Sequence, residues 1–200
     1  MIKNIIFDMG NVLIDFDPEV PLKEFCREGE ERDTVRRELF ESDEWWMADR
    51  GDISDKDRYE LIAPRVAPEY QEALKNCCFH WYICMKNLVP GAKEFVAWAK
   101  ENYKIYVLSN ASDLFYDYFL NFSPLEYFDG IVVSADLLML KPDARIYEYL
   151  LNKYQLDPKE CLFIDDRITN VEGARAVGIN AVQFTNNYDE IKSMLMKGDV

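Results

Sequence analysis

The chain has 200 residues, of which 49% are hydrophobic and 14% aromatic, enough for a substantial core with or without an inserted unit. Its 37 acidic and 23 basic residues give a net charge of −14, which argues against nucleic acid and anionic membranes as partners. No apolar stretch approaches the roughly 20 residues of a membrane-spanning helix. An anionic ligand would need a local metal ion or local basic side chains to overcome the overall field.

The cysteines predict a reducing compartment. Their number is odd and they form no CxxC pair, which is typical of free thiols rather than of a disulfide framework or a metal site. They are Cys26, Cys77, Cys78, Cys84 and Cys161. The first residues run directly into an apolar strand, without the layout of a signal peptide. We therefore expect a cytoplasmic protein, as a monomer or a homodimer.

The first strong pattern is an apolar run that ends in a carboxylate. Ile5–Phe7 is short and unbroken, which is typical of a strand buried on both faces of a parallel sheet. Asp8 follows it, and Gly10 and Asn11 tolerate the backbone angles of a tight turn. Ligands of open parallel sheets bind beyond the carboxyl ends of the strands, so Asp8 is a candidate for chemistry. The alternative is that Asp8 only caps a turn.

Residues 18–87 differ in character from the sequence on either side. They carry helical periodicity and many charges, with no convincing strand. The predicted helices are Pro18–Cys26, Glu30–Phe40, Asp43–Asp49, Asp55–Ala63 and Glu69–Lys86. We interpret this block as a helical cap inserted into a core that residues 1–17 and 88–200 form. Trp45 and Trp46 are expected to pack between its helices.

From residue 88 onward, strands alternate with helices. The predicted strands are Lys104–Leu108, Gly130–Val133, Cys161–Ile164 and Asn180–Phe184. The predicted helices are Ala92–Asn102, Ser112–Asn121, Pro142–Tyr154, Ile168–Val177 and Tyr188–Met196. This alternation predicts an α/β fold with a doubly wound parallel sheet and right-handed crossovers.

Polar side chains follow two of these strands or precede a helix. Ser109 and Asn110 come between a strand and a helix, where a hydroxyl and backbone N–H groups suit a phosphate, although a simple N-cap has the same pattern. Lys141 comes just before Pro142, a typical first helical residue, and would direct its ammonium group toward the crevice. A surface lysine is the alternative.

The acidic pair Asp165-Asp166 is the most specific of these signals. It follows a buried strand, and Asn170 comes four residues after the pair. Adjacent carboxylates at one strand end repel each other unless a cation lies between them. Together with Asp8 they form an all-oxygen set of the kind that suits Mg²⁺.

These segments resemble the four motifs of the haloacid dehalogenase-like (HAD) hydrolase superfamily, in the same order and at sensible separations. Asp8 matches the nucleophile, Ser109 the hydroxyl of the second motif and Lys141 the lysine of the third. The resemblance implies a Mg²⁺-dependent phosphatase that acts on small phosphorylated metabolites. In that mechanism Asp8 attacks phosphorus and water hydrolyses the aspartyl-phosphate.

The resemblance also implies a role for each matched residue. Asp8, the backbone carbonyl of Gly10, Asp165 and Asp166 would hold Mg²⁺. The phosphate would be bound by Ser109, Asn110 and Lys141, and Asn170 would orient the metal ligands from behind.

Gly10 departs from the family pattern, because most of its phosphatases have a second Asp there that protonates the leaving group. Three hypotheses remain: a phosphatase of good leaving groups or with another acid, a metal-free haloacid dehalogenase, and a catalytically impaired phosphometabolite-binding protein. Asp15 and Asp17 are nearby in sequence, although turn capping is the simpler interpretation of both. The acidic pair counts against a dehalogenase, and the retained motifs count against lost catalysis.

Four stretches are similar to the bacterial α-D-glucose-1-phosphate phosphatase group within this family. They are Asp8–Val12, Arg50–Ser54, Lys141–Tyr147 and Phe163–Asp166. The similarity implies a sugar phosphate, such as a hexose 1-phosphate, as substrate. Arg50, in the loop of the cap block, is a candidate contact to that substrate, with a surface ion pair as the alternative.

Overall fold

The computed structural model describes residues 1–120, 122–123 and 125–199. Its sheet has five parallel strands in the order β3-β2-β1-β4-β5. They are β1 (Asn4–Phe7), β2 (Lys104–Ser109), β3 (Gly130–Val133), β4 (Cys161–Asp165) and β5 (Asn180–Gln183). The predicted doubly wound α/β fold is confirmed. Because β1 lies in the centre, with β2 and β4 on its two sides, its carboxyl end is the point where the strand order reverses.

Helices cover both faces of the sheet. Those that follow β1 in the chain are α1 (Glu19–Phe25), α2 (Glu30–Val35), α3 (Asp43–Arg50), α4 (Asp55–Ile62), α5 (Gln71–His80) and α6 (Ala92–Asn102). The later ones are α7 (Phe115–Phe119), α8 (Ala144–Tyr154), α9 (Ile168–Ala176) and α10 (Tyr188–Lys197). None of the helices in the described ranges is long and apolar enough to cross a membrane.

Some predicted helices are shorter than expected. The predicted helix Glu30–Phe40 is α2 followed by a π-helical stretch, Arg36–Phe40. Glu69–Lys86 divides into 3₁₀ turns on either side of α5. The predicted start at Ser112 is wrong, because α7 begins at Phe115; the predicted end, Asn121, lies outside the described residues.

Alternate residues of β1 face opposite layers, as the period of a strand requires. Ile5 and Phe7 belong to a large apolar cluster that also contains Leu22 and Leu39 from the segment between β1 and α6. Ile6 faces the other way, into a smaller cluster with α8 and α9. The helical segment, residues 18–87, therefore shares its apolar core with one face of the sheet.

The two connections to the helical segment run side by side. The backbone N–H of Asp15 donates to the carbonyl of Asn87 at 2.9 Å, and that of Val89 donates to the carbonyl of Leu13 at 3.1 Å. The chain therefore leaves the sheet layer and returns to it through two adjacent segments joined by one antiparallel bridge, between Ile14 and Leu88.

The end of α3 is fixed against the segment that follows β3. The Ser134 hydroxyl donates to the carbonyl of Asp49 and accepts the N–H of Ala111 at 2.9 Å. Gly51 ends the helix with a φ of +88°, and a Cβ there would overlap the backbone of Ala135. This close approach needs a glycine both for its backbone angle and for space.

We expect Gly51→Ala to lower the free energy of unfolding more than Gly198→Ala. Both glycines end a helix in the left-handed conformation, which costs an alanine about 1–3 kcal/mol of strain, but no atom lies within 4 Å of a Cβ at Gly198. At Gly51 the overlap with Ala135 adds about 1–3 kcal/mol. Urea unfolding of the two variants checks this, and equal losses would contradict the proposed close contact.

Candidate active site

The candidate site lies at the carboxyl edge of the sheet, where β1, β2 and β4 end together. The register places Phe7 opposite Val107 on one side and opposite Ile164 on the other. The N–H of Asp8 then donates to the carbonyl of Ile164 at 2.8 Å, which extends the pairing by one residue. Asp8 and Asp165 therefore leave adjacent strands at the same level.

The ammonium group of Lys141 lies between these two carboxylates. Its Nζ is 2.7 Å from Oδ1 of Asp8 and 2.7 Å from Oδ2 of Asp165, and it donates to the carbonyl of Leu108 at 2.9 Å. The Lys141 side chain is only 1% exposed. Burial lowers the pKa of an ammonium, but the charges of Asp165 and Asp8 outweigh burial and raise the pKa of Lys141. Lys141 therefore remains a cation.

Asp8 is buried at the base of the site. Burial raises its pKa to about 7, against the opposing effect of Lys141, and the neighbouring charge of Asp165 raises it further. Its Oδ1 also accepts the N–H of Met9 at 2.7 Å. A divalent cation beside Asp8 would lower this pKa and keep the carboxylate ionised, which is the form that attacks an electrophile.

Asp165 is fully buried, and protein donors occupy both of its oxygens. Oδ1 accepts the N–H of Arg167 at 2.9 Å and the amide of Asn170 at 3.0 Å. Oδ2 accepts Lys141 and, at 3.1 Å, the same Asn170 amide. These contacts fix Asp165 as the group that orients Lys141, and Asn170 as the group that orients Asp165.

Asp166 points into the cavity instead. Its Oδ2 accepts the side-chain amide of Asn11 at 3.2 Å, and Asn11 is held in turn because its Oδ1 accepts the N–H of Phe16 at 3.0 Å. Burial raises the pKa of Asp166, and the Asn11 hydrogen bond opposes that change. Asn11 reaches this position with a φ of +56°, a conformation that asparagine tolerates.

The three carboxylates fit a divalent cation. One oxygen each from Asp8, Asp165 and Asp166 lie within 4.8 Å of one another. Asp8, Gly10 and Asp166 line the cavity, whereas Asp165 does not. Hard oxygen donors grouped in this way are typical of Mg²⁺ sites, with waters completing the shell.

Two residues at the end of β2 contribute in different ways. The hydroxyl of Ser109 is buried and has no hydrogen-bond partner among the described residues, so its hydrogen-bonding capacity is unused, although Ser109 is not among the residues that line the cavity. The side chain of Asn110 donates to the carbonyl of Lys141 at 3.0 Å and accepts its N–H at 2.8 Å. Its amide therefore holds the backbone of Lys141, a role that the sequence did not predict.

The cavity above Asp8 has a volume of about 140 Å³. One side of it, the aromatic wall, consists of Phe16, Trp45, Trp46, Trp81 and Tyr118. Trp45 and Trp81 pack edge to face at 5.2 Å between ring centroids, so this wall also belongs to the packing of the helical segment. Arg167 lies over the Trp46 ring at 5.0 Å and is the cationic side chain at the cavity edge that the sequence did not indicate.

Arg50 is not among the cavity residues. Its guanidinium pairs with Asp52 on the surface, as the alternative interpretation of the sequence expected. Its neighbour Asp49 lines the cavity and is 8% exposed. Helical spacing explains why Asp49 lines the cavity and Arg50 does not. Asp49 is four residues after the buried Trp45 and shares its face of α3, whereas Arg50 is turned away.

The family is shown by direct comparison with known proteins. A family model described as haloacid dehalogenase-like hydrolase matches residues 2–178. The chain belongs to the haloacid dehalogenase-like hydrolase family.

Curated relatives include phosphatases of similar length. A D-ribitol-5-phosphate phosphatase of Bacteroides thetaiotaomicron is 24% identical and aligns over 94% of this chain and 95% of its own. The sesquiterpene phosphatase astK of Aspergillus oryzae is 27% identical over 92% of this chain and 91% of its own. The drimenol cyclase drtB of Aspergillus calidoustus is 25% identical, but this chain, matched over 98%, spans only 36% of that protein.

A solved structure has the same fold. It is a HAD family enzyme from Bacteroides thetaiotaomicron in complex with magnesium and inorganic phosphate. The TM-score is 0.66 with 23% identity, and the match covers 94% of this chain and 96% of that one.

We expect Lys141→Met to destabilise the metal-free protein by about 3–5 kcal/mol at pH 8, because it leaves buried carboxylates without a counter-charge. The loss should shrink at pH 5.5, since Asp8, with its pKa near 7, is then protonated and neutral. Urea unfolding in EDTA at both pH values measures this.

Lys93→Met, which removes an exposed lysine, is the matched control and should change stability by less than about 0.5 kcal/mol. A Lys141→Met loss that is the same at both pH values would rule out the electrostatic explanation.

Proposed function

We propose that this enzyme is a Mg²⁺-dependent phosphatase of small phosphorylated metabolites and that Asp8 is its nucleophile. The observation that carries the proposal is the buried Lys141 bridge from Asp8 to Asp165, beside a carboxylate cluster that fits a divalent cation. This arrangement presents one fixed carboxylate oxygen to an electrophile in a site with compensating positive charge.

The proposed reaction has two displacements at phosphorus. Asp8 attacks the phosphoryl group and expels the alcohol, and water then attacks the aspartyl-phosphate and releases phosphate. Lys141 offsets negative charge on Asp8 and on the transferring group. The unpartnered Ser109 hydroxyl is suitably placed at the end of β2 to donate to a phosphoryl oxygen.

Magnesium would be held by Asp8, by the backbone carbonyl of Gly10 and by Asp166, which line the cavity together. When bound, it would offset the charge of the phosphoryl group and allow the anionic nucleophile to approach. Asp165 is better suited to orienting Lys141, because its oxygens are occupied by protein donors.

The helical segment is proposed to act as the cap that selects the substrate, since it supplies the three tryptophans of the aromatic wall. We propose a sugar or polyol phosphate of hexose 1-phosphate size. A cavity of about 140 Å³ is small beside the roughly 300–1,000 Å³ of sites for drug-sized ligands, which favours a compact substrate. Aromatic rings and the Asp49 carboxyl would meet its CH faces and hydroxyls.

Phosphate release from a panel of phosphometabolites, with Mg²⁺ and with EDTA, tests the activity. We expect metal-dependent release, with hexose and pentitol phosphates ahead of long-chain phosphates, and less than about 10⁻³ of it in Asp8→Asn because the nucleophile is gone. If no ester in the panel released phosphate, the proposed phosphatase activity would be refuted. Halide release from 2-haloacids, run in parallel, would then favour the dehalogenase hypothesis.

A second experiment tests the metal ligands. Asp166→Asn should weaken Mg²⁺ binding, measured by titration calorimetry, by about 100-fold or more, because a charged oxygen ligand is lost. Asp15→Asn removes the same charge from an exposed neighbouring position and should leave binding within about threefold. Equal effects of the two substitutions would mean that only the overall charge matters.

A further inference from the structure

A leaving alcohol needs a proton, and the usual position for a donor is empty in this chain. Gly10 has no side chain, and no atom lies within 4 Å of the place where its Cβ would stand. Asp15 and Asp17 do not line the cavity. Asp17 instead accepts the N–H of Glu19 at 2.9 Å, at the start of α1.

Among the described residues, Asp49 is the one carboxyl outside the proposed metal ligands that lines the cavity. It belongs to α3 of the helical segment, whereas Asp8 and Asp166 follow strands of the sheet. Its backbone is fixed to the sheet layer, because Ser134 donates to its carbonyl and Gly51 packs on Ala135. The backbone that carries the carboxyl group is therefore held against the sheet layer, although it belongs to a different part of the chain.

No cation in the part of the chain that the structure describes forms an ion pair with Asp49. Arg58, which is fully buried, pairs with Asp55 at 2.6 Å, donates to the carbonyl of Cys78 at 3.2 Å and lies over the Trp45 ring at 4.6 Å. One buried cation thus faces two carboxyls, and Asp55 holds it.

The other ionisable groups that face Asp49 are Asp8 at the end of β1 and Tyr118 in α7. Burial raises the pKa of Asp49 to about 8; Arg58 opposes this change, and the charge of Asp55 adds to it. Asp49 is therefore protonated at neutral pH and is poised to give up a proton close to pH 7.

We propose that Asp49 is the general acid of this enzyme and replaces the carboxyl that Gly10 lacks. This inference rests on the proposed phosphatase function and names one more catalytic residue for it. A site that a helical segment completes in this way performs acid catalysis only while that segment lies against the sheet.

Protons and bonds balance through the cycle. As an oxygen of Asp8 bonds to phosphorus, the bond from phosphorus to the ester oxygen breaks, and that oxygen takes the electron pair and the proton of Asp49. The alcohol leaves. Asp49, now a carboxylate, takes a proton from the water that attacks the aspartyl-phosphate. The bond from phosphorus to Asp8 breaks, phosphate leaves, and both carboxyls regain their starting states.

The test compares Asp49→Asn with the wild type on p-nitrophenyl phosphate and on propyl phosphate. The nitrophenolate leaves without a proton, whereas the propyl alkoxide needs one. We expect kcat/KM for propyl phosphate to fall by about 10²-fold or more and that for p-nitrophenyl phosphate to change by less than about fivefold. The ratio of the two rates is measured on one preparation, so it does not depend on the fraction that folds.

The pH profile gives a second readout. Since the protonated acid is the active form, the wild-type rate on propyl phosphate should fall above about pH 8, and this alkaline fall should disappear in Asp49→Asn. Asp52→Asn, which removes an exposed carboxylate three residues away, is the control and should keep the wild-type ratio and profile.

The outcomes separate the two proposals. Equal losses on both esters in Asp49→Asn, or no loss on either, would overturn the role of Asp49. The phosphatase proposal would still stand in that case if Asp8→Asn abolishes both activities. If the wild type cleaves neither ester and none of the metabolite panel, the phosphatase itself is wrong.

Discussion

The burial of one ammonium between two carboxylates is the constraint on which the rest of the site depends. Ions removed from water are costly unless each has close partners and its remaining hydrogen bonds are made. For the Lys141 ammonium these needs are met by the carbonyl of Leu108 and, through Asp165, by Asn170. The sheet satisfies the constraint because parallel pairing brings the ends of β1, β2 and β4 to one level.

The opposite side of the cavity is built by a different principle. There the helical segment contributes large rings and a neutral carboxyl, and its position depends on apolar packing and on the contacts of Ser134 and Gly51. The strand ends thus suit the charged phosphoryl group, whereas the helices suit the part of the substrate that differs from one metabolite to another.

Much of this was predictable from sequence, because the signals are local. Apolar runs that end in Asp8 or Asp165 mark strands and their carboxyl ends, and alternation with helices predicts the parallel sheet. The parallel sheet and most helices of the described ranges follow that prediction. Helix α7 begins three residues later than predicted, because a turn at Ser112 intervenes before the helical backbone starts.

Contacts between distant segments were not predictable in this way. The pattern at Arg50–Ser54 predicted that Arg50 meets the substrate, but whether Arg50 or its neighbour Asp49 lines the cavity depends on which face of α3 turns toward the sheet. Likewise, Asn110 was expected at the phosphate, and only the fold shows its amide bound to the backbone of Lys141, 31 residues further along the chain.

The paired connections at Asp15–Asn87 and Leu13–Val89 have a mechanical consequence for turnover. Any movement of the helical segment away from the sheet has to bend both connections together. The movement is therefore a rotation about a single hinge, not an independent displacement of the segment. Such a swing would withdraw Asp49 and the three tryptophans of the aromatic wall from the substrate without disturbing Lys141 or the carboxylates at the strand ends. Admission of substrate and release of product can then be adjusted by substitutions at the hinge, at no cost to the charges that activate Asp8.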